Sequence, residues 1–236
     1  MDRLSRKELK TDKFAQEVEH TVEFVGEHRK QAILYSAIVI AVILLGAGIY
    51  FYRGHQHTVR QAALAEAVQV QQGTVGPSQN PLAKSYATQA EKDKAAQAAF
   101  ADVAAKYNGS EEAAYATYML ANIAMDQGRV SDAEKQFKAV VDMGHPNYAS
   151  LAKVSLADIY ASQGKMSEAE QLLRSLMDKP TALISKEQAT IELAKLLANK
   201  RPDEARKLLE PLRASDRAAV SRAAITELGQ LSAPRK

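Results

Sequence analysis

Apolar residues fall into three regimes along this chain: a sparse stripe, an unbroken run, and a long stretch of helical periodicity. In the stripe, Phe14, Val18, Val22 and Val25 recur at spacings of four, four and three, one face of an amphipathic helix within residues 1–31. The run is Ala32 to Tyr52, AILYSAIVIAVILLGAGIYFY, twenty-one residues without a charge. At about 1.5 Å per residue such a helix reaches roughly 30 Å, the hydrocarbon thickness of a bilayer. In lipid every backbone N–H and C=O needs a partner within its own segment, so the run predicts a transmembrane helix over 32–52. Tyr35 near one end and Tyr50, Phe51 and Tyr52 at the other stand where interfacial aromatics belong. Ala37, Ala41 and Gly48 share a face at small-residue spacing.

Beyond the run the pattern stays helical to Gln72, with Val59, Ala62, Ala63, Ala67 and Val70 on its apolar face. GTVGPS (Gly73–Ser78) and Asn80-Pro81 break it, and a loop continues to about Ala87. Helix resumes through Tyr107 with Phe100 and Val103 as core contacts, and Asn108-Gly109 ends it. From there the chain repeats itself. GRVSDAE at Gly128–Glu134 returns as GKMSEAE at Gly164–Glu170, thirty-six residues on. Leu120-Ala121 has copies at Leu156-Ala157 and Leu193-Ala194, and Ala133 has copies at Ala169 and Ala205. A fixed period of this length, filled with helix-forming sequence, means stacked helical hairpins.

Each repeated residue has a physical task. Gly128 and Gly164 end a first helix where φ must turn positive. Ser131-x-x-Glu134 and Ser167-x-x-Glu170 read as capping boxes that open the second helix. Ala133, Ala169 and Ala205 are small because two helices cross closely there. Phe137 and Val140, Leu173 and Leu176, and Leu209 and Leu212 fill the seam between hairpins, and Pro202 starts a helix at a position that tolerates it. Residues 216–231 form a last helix, with Val220, Ala224 and Leu228 on the face that caps the stack. The fold class is therefore all-α, one N-terminal transmembrane helix followed by an α-solenoid with a C-terminal capping helix. The expected divisions are 1–31, 32–52, 53–110 (post-membrane helix, loop and a degenerate first repeat), 111–214 (three repeats) and 215–236.

Charge changes this picture by giving it a direction. Before the run stand Arg3, Arg6, Lys7, Lys10, Lys13, Arg29 and Lys30; in a comparable stretch after it stand only Arg53 and Arg60. Lys and Arg bias places the N-terminus in the cytoplasm and the C-terminal domain across the membrane, in the periplasm of a bacterium. The run is too long for a signal-peptide core and leaves through bulky aromatics, so it reads as a retained anchor. Overall, 31 basic and 28 acidic residues are interspersed, which argues against a nucleic-acid stripe. With no Cys there is no disulfide, thiolate metal site or Cys nucleophile.

The Leu-Ala, Gly, Ala and Phe/Leu positions resemble the tetratricopeptide repeat. The period here is two residues longer than that family's, and Trp is absent. The layout, with HQHTVRQAALAEAVQ (His55–Gln69) following the span, resembles the YfgM-type ancillary subunits of the bacterial Sec translocon. That resemblance implies a periplasmic domain at the translocon exit, with translocon subunits, a membrane-anchored prolyl-isomerase-like chaperone and emerging polypeptides as partners. Scaffolding of another envelope assembly, or signalling through residues 1–31, are the alternatives. The family's geometry also implies a concave groove lined by the first helices. In register, that groove holds Tyr115, Tyr118, Asn122 and Met125, then Leu151, Val154, Asp158 and Ala161, then Gln188, Ile191 and Lys195. Two tyrosines and a methionine together suit a peptide or partner helix, unless the neighbouring hairpin packs them. Tyr118 occupies a position that is basic in the repeats that clamp C-terminal carboxylates, so binding of that kind is not expected.

Chemistry is otherwise sparse. His55-x-His57 sits in helical sequence beside the membrane, where headgroup contact is expected rather than a metal. No nucleophile elbow, phosphate loop, dinucleotide fingerprint or zinc-protease motif is present. The expectation is a protein-binding module without enzymatic activity or a cofactor.

Overall fold

The computed structural model describes residues 29–77 and 84–232. The amphipathic stripe expected within residues 1–31 lies outside them up to residue 28. The chain divides into two units, Met1–Thr58 and Val59–Lys236. Helix α1, Arg29–Gln71, contributes to both. In the first unit its side chains from Ile33 to Tyr52 are exposed wherever they are large and apolar, Leu44 and Leu45 at 66%. Among the described residues none covers this surface, and the helix is long and apolar enough to cross a membrane.

In the second unit two-residue strands β1 (Thr74–Val75) and β2 (Ser85–Tyr86) pair in parallel, Thr74 opposite Ser85. Sequence pattern cannot announce strands this short. Gly73 is required beside them, since a Cβ there would sit 2.7 Å from the Tyr86 ring and 2.8 Å from the Lys84 carbonyl oxygen. The helices follow as α2 (Gln89–Lys106), α3 (Glu111–Asp126), α4 (Val130–Asp142), α5 (Pro146–Ser162), α6 (Met166–Asp178), α7 (Lys186–Leu197), α8 (Pro202–Leu209) and α9 (Ala218–Ser232). A 3-10 turn, Glu210–Ala214, follows α8, where Pro211 withholds the N–H that would continue the α-helix.

Hairpins α3–α4, α5–α6 and α7–α8 stack in chain order, and the first helices also touch, α3 against α5 and α5 against α7. The repeat residues sit where the period places them. Ala133, Ala169 and Ala205 are fully buried, as are Ala121 and Phe137, while Leu156, Ala157, Leu173, Leu193, Ala194 and Leu209 are at most 3% exposed. Leu120 is partly buried against a third cluster around Ala67, Phe100, Val103 and Ala116, which joins the end of α1 to α2 and α3. Val220, Ala224 and Leu228 of α9 close the far end of the core.

The turns within hairpins correct one expectation. Gly128 and Gly164 have φ of 71° and 78°. The N–H of Gly128 bonds the Met125 carbonyl at 2.9 Å, and that of Arg129 bonds the Ala124 carbonyl at 2.8 Å. Gly164 and Lys165 repeat the pattern onto Ala161 and Tyr160, at 3.0 and 2.8 Å. These are Schellman turns, and they deliver the chain straight into the next helix at Val130 and Met166. The N-caps are therefore Arg129 and Lys165, neither with a side-chain capping bond, and Ser131 and Ser167 are second helical residues rather than caps. Side-chain caps are instead on helices that follow looser connections. Thr88 accepts from Glu91 N–H on α2, Ser110 from Ala113 N–H on α3, and Ser185 from Gln188 N–H on α7.

The glutamates of the supposed boxes have another use. Glu134 accepts from Lys138 one turn on at 2.6 Å and from Gln163, in the next hairpin's turn, at 2.9 Å. Glu170 accepts from Arg174 at 2.8 Å and also bonds Arg201, in the turn after that. Glu204 completes the set, 2.8 Å from Arg174 and 3.1 Å from Arg201. The same repeat position thus staples each hairpin to its successor.

Candidate protein-binding groove

Side-by-side packing of α3, α5 and α7 makes one continuous face of first helices, and the expected groove residues divide along it. Tyr115 is half-buried, its ring edge-on to Phe100 at 6.3 Å and to Tyr148 at 5.5 Å. Tyr118 packs against Phe137 at 5.6 Å. Both tyrosines therefore spend much of their ring area on neighbouring helices. Asn122 is half-buried and donates to the Tyr118 carbonyl at 3.0 Å. Met125 is exposed, and Leu151 and Val154 lean on the core with part of their surface uncovered. Ile191 is a correction: at 6% exposed it belongs to the core, in one cluster with residues of α5, α6, α8 and α9. Gln188 is exposed at the start of α7.

Asp158, Ala161 and Lys195 are brought together. They line a cleft of about 390 Å³ between the C-terminal halves of α5 and α7, with Met166, Glu192, Leu196, Asn199 and Lys200. Lys195 lies 3.2 Å from Glu192 and 4.0 Å from Glu227 of α9. Burial, then the charge of Glu192, pushes the Asp158 carboxyl above its ordinary range, and Lys195 pulls the other way. Sequence reasoning missed Glu192, although its spacing of three from Lys195 on one helix face was a usable signal. The cleft offers charges of both signs over an Ala-Met-Leu lining, which suits the polar and apolar side chains of a partner surface. Among the described residues no group of three His, Asp or Glu is placed to hold a metal.

Stacked hairpins whose first helices form a shared, partly apolar face define a class of helical-repeat proteins that bind other proteins. The chain matches the tetratricopeptide repeat-like domain family over residues 28–180 and belongs to it. Among solved structures it is similar to a protein of nearly identical TPR-like repeats from Podosopora anserina, named for kinesin light chain. The identity is 19% and the TM-score 0.50, covering 72% of this chain and 84% of that one. A single-residue variant of the same protein matches at 19% identity and a TM-score of 0.51, with the same coverage. At this identity the likeness is one of fold. No curated protein matches by sequence.

Proposed function

We propose that this protein is a membrane-anchored interaction module: Ala32–Tyr52 spans a bacterial inner membrane, residues 1–31 stay in the cytoplasm, and the solenoid binds other proteins in the periplasm. The observation that carries this reading is where the family match starts. It begins at residue 28, so one family domain includes the apolar helix together with the first two hairpins. Anchor and solenoid then belong to one design rather than to an accidental fusion. Seven Lys and Arg before the run against two in a comparable stretch after it, Arg53 and Arg60, support the orientation. The YfgM-like layout supports a place beside the Sec translocon, where the solenoid would work with a membrane-anchored chaperone on emerging polypeptides. Met125, Leu151, Val154, Asp158 and Lys195 offer the contact surface, and the protein acts by binding rather than by catalysis.

Affinity purification of the full chain after mild solubilisation tests this. Translocon subunits and a periplasmic chaperone are expected in the eluate, and to be depleted by Met125→Asp with Lys195→Glu. Recovery of division or outer-membrane assembly proteins in their place would overturn the translocon assignment.

A further inference from the structure

We propose that the C-terminal end of the apolar helix carries a binding site for the headgroup of an anionic phospholipid, with Arg53 as its principal ligand and His55 and His57 beside it. The inference rests on the membrane reading above and adds a specific lipid to it. Residues 53–65 hold Arg53, His55, His57 and Arg60 and no carboxylate; the first acid after the run is Glu66. This basic stretch begins where the apolar run stops, at headgroup depth. Arg60 is committed elsewhere, 3.3 Å from the buried Glu112. Among the described residues no carboxylate forms an ion pair with Arg53.

The shape agrees with the charge. Gly46, Tyr50, Arg53, Gly54 and His57 fall at helical spacing on one face, which forms an open groove with Ile49, Phe51 and His55. A Cβ added at Gly46 or Gly54 would meet nothing within 4 Å, so both positions are notches. Tyr50 and Phe51 flank the groove, their rings edge-on at 5.8 Å. Gly46 lies seven residues before Arg53, about 10 Å along the axis. That is room for an acyl chain to lie in the lower notch while its phosphate reaches the guanidinium. A planar guanidinium matches phosphate oxygens with two parallel N–H bonds. A choline headgroup would set its own cation against Arg53, so the site favours a headgroup with net negative charge.

The test reconstitutes the full chain in phosphatidylcholine vesicles containing spin-labelled phosphatidylglycerol or spin-labelled phosphatidylcholine. Electron spin resonance then reads the lipid held immobile against the protein. The expected preference for phosphatidylglycerol is about fivefold, the size of one basic residue at an anionic surface. R53A is expected to bring the ratio close to one, and R53K to keep a preference. Equal immobilisation of the two lipids by the unaltered chain, or an unchanged preference in R53A, would overturn the site while leaving the anchor in place. Release of the chain from the vesicles by carbonate would overturn both.

Discussion

Replacing Ser167 with Ala and, separately, Glu170 with Gln sets the local reading of the hairpin turn against the observed one. A capping box predicts that loss of the serine costs about 1 kcal/mol. In the structure Ser167 is an exposed second residue of α6 with the N-cap two positions earlier, so Ser167→Ala should be neutral, or gain up to about 0.5 kcal/mol from the better helix propensity of Ala. Glu170 is different. Its side chain is 19% exposed and holds Arg174 and Arg201, which Glu204 holds from the other side. A hydrogen bond to a charged group contributes roughly 1.5–3 kcal/mol when shielded, and an exposed ion pair about 0.2–1. With the two arginines 45% and 46% exposed, the lower range governs for both pairs, and Glu170→Gln should cost about 0.4–2 kcal/mol in total. For a domain of this size that lowers Tm by about 1–6 °C. The assay is thermal unfolding of the full chain in detergent, followed by far-ultraviolet circular dichroism in low and high salt. The Glu170 penalty should shrink at high salt because these charges are partly solvated. A Ser167→Ala loss equal to that of Glu170→Gln, or a Glu170 penalty that ignores salt, would refute the staple.

Further expectations concern the core, the turns and pH. Phe137→Ala removes a fully buried ring from the seam between the first two complete hairpins and should cost about 3–5 kcal/mol, read as a shift in denaturation midpoint. Gly128→Ala meets open space but must hold φ near 71°, so about 1–2 kcal/mol should be lost, whereas Gly229→Ala within α9 should lose nothing. Hydrogen bonds from Lys138, then Gln163, lower the Glu134 carboxyl below its ordinary value; at Glu170, burial acts upward and the Arg201 and Arg174 bonds outweigh it. A depressed carboxylate stabilises above its ordinary value and loses that contribution as pH falls through the depressed one. Tm should therefore decline below the ordinary carboxylate value of 4.5, and the decline should be shallower in a Glu134→Gln, Glu170→Gln double variant. Asp158 has the opposite sign: its carboxyl is raised, so folding is disfavoured as pH rises through that value, and Asp158→Asn should raise Tm at pH 7 and leave it unchanged well below pH 4.

Much of this architecture is legible in the sequence because its determinants are local or periodic. Twenty-one uncharged residues announce a helix long and apolar enough to cross a membrane, whatever the rest of the chain does. The recurrence of Gly128 at Gly164, and of Ala133 at Ala169 and Ala205, reports turns and close helix crossings that the backbone angles and full burial then display. The capping-box reading fails because the Schellman turns make Arg129 and Lys165 the N-caps, and Glu134 and Glu170 then bond Lys138 and Arg174 one turn on and partners 29 and 31 residues away. Ile191 occupies the right register for the groove but is 6% exposed and belongs to the core cluster shared by α5 to α9, a burial that no periodicity within α7 could reveal. The Asp158–Lys195 cleft is half legible: the register supplies Asp158, Ala161 and Lys195, Glu192 is signalled only by its spacing from Lys195, and the packing of α5 on α7 is what brings them to one cleft. The pairing of β1 with β2 needs only two residues a side, fewer than any alternation can signal.

Photocrosslinking in intact cells tests most directly whether the face of first helices, carried on a membrane anchor, is where other proteins bind. A photoreactive residue is placed at Met125, Asp158 or Lys195 on that face, and at Lys135 or Asp142 on the second-helix side. Protein adducts are predicted from the first three positions, in the membrane fraction, and not from the last two. Adducts confined to Lys135 and Asp142 would contradict that assignment.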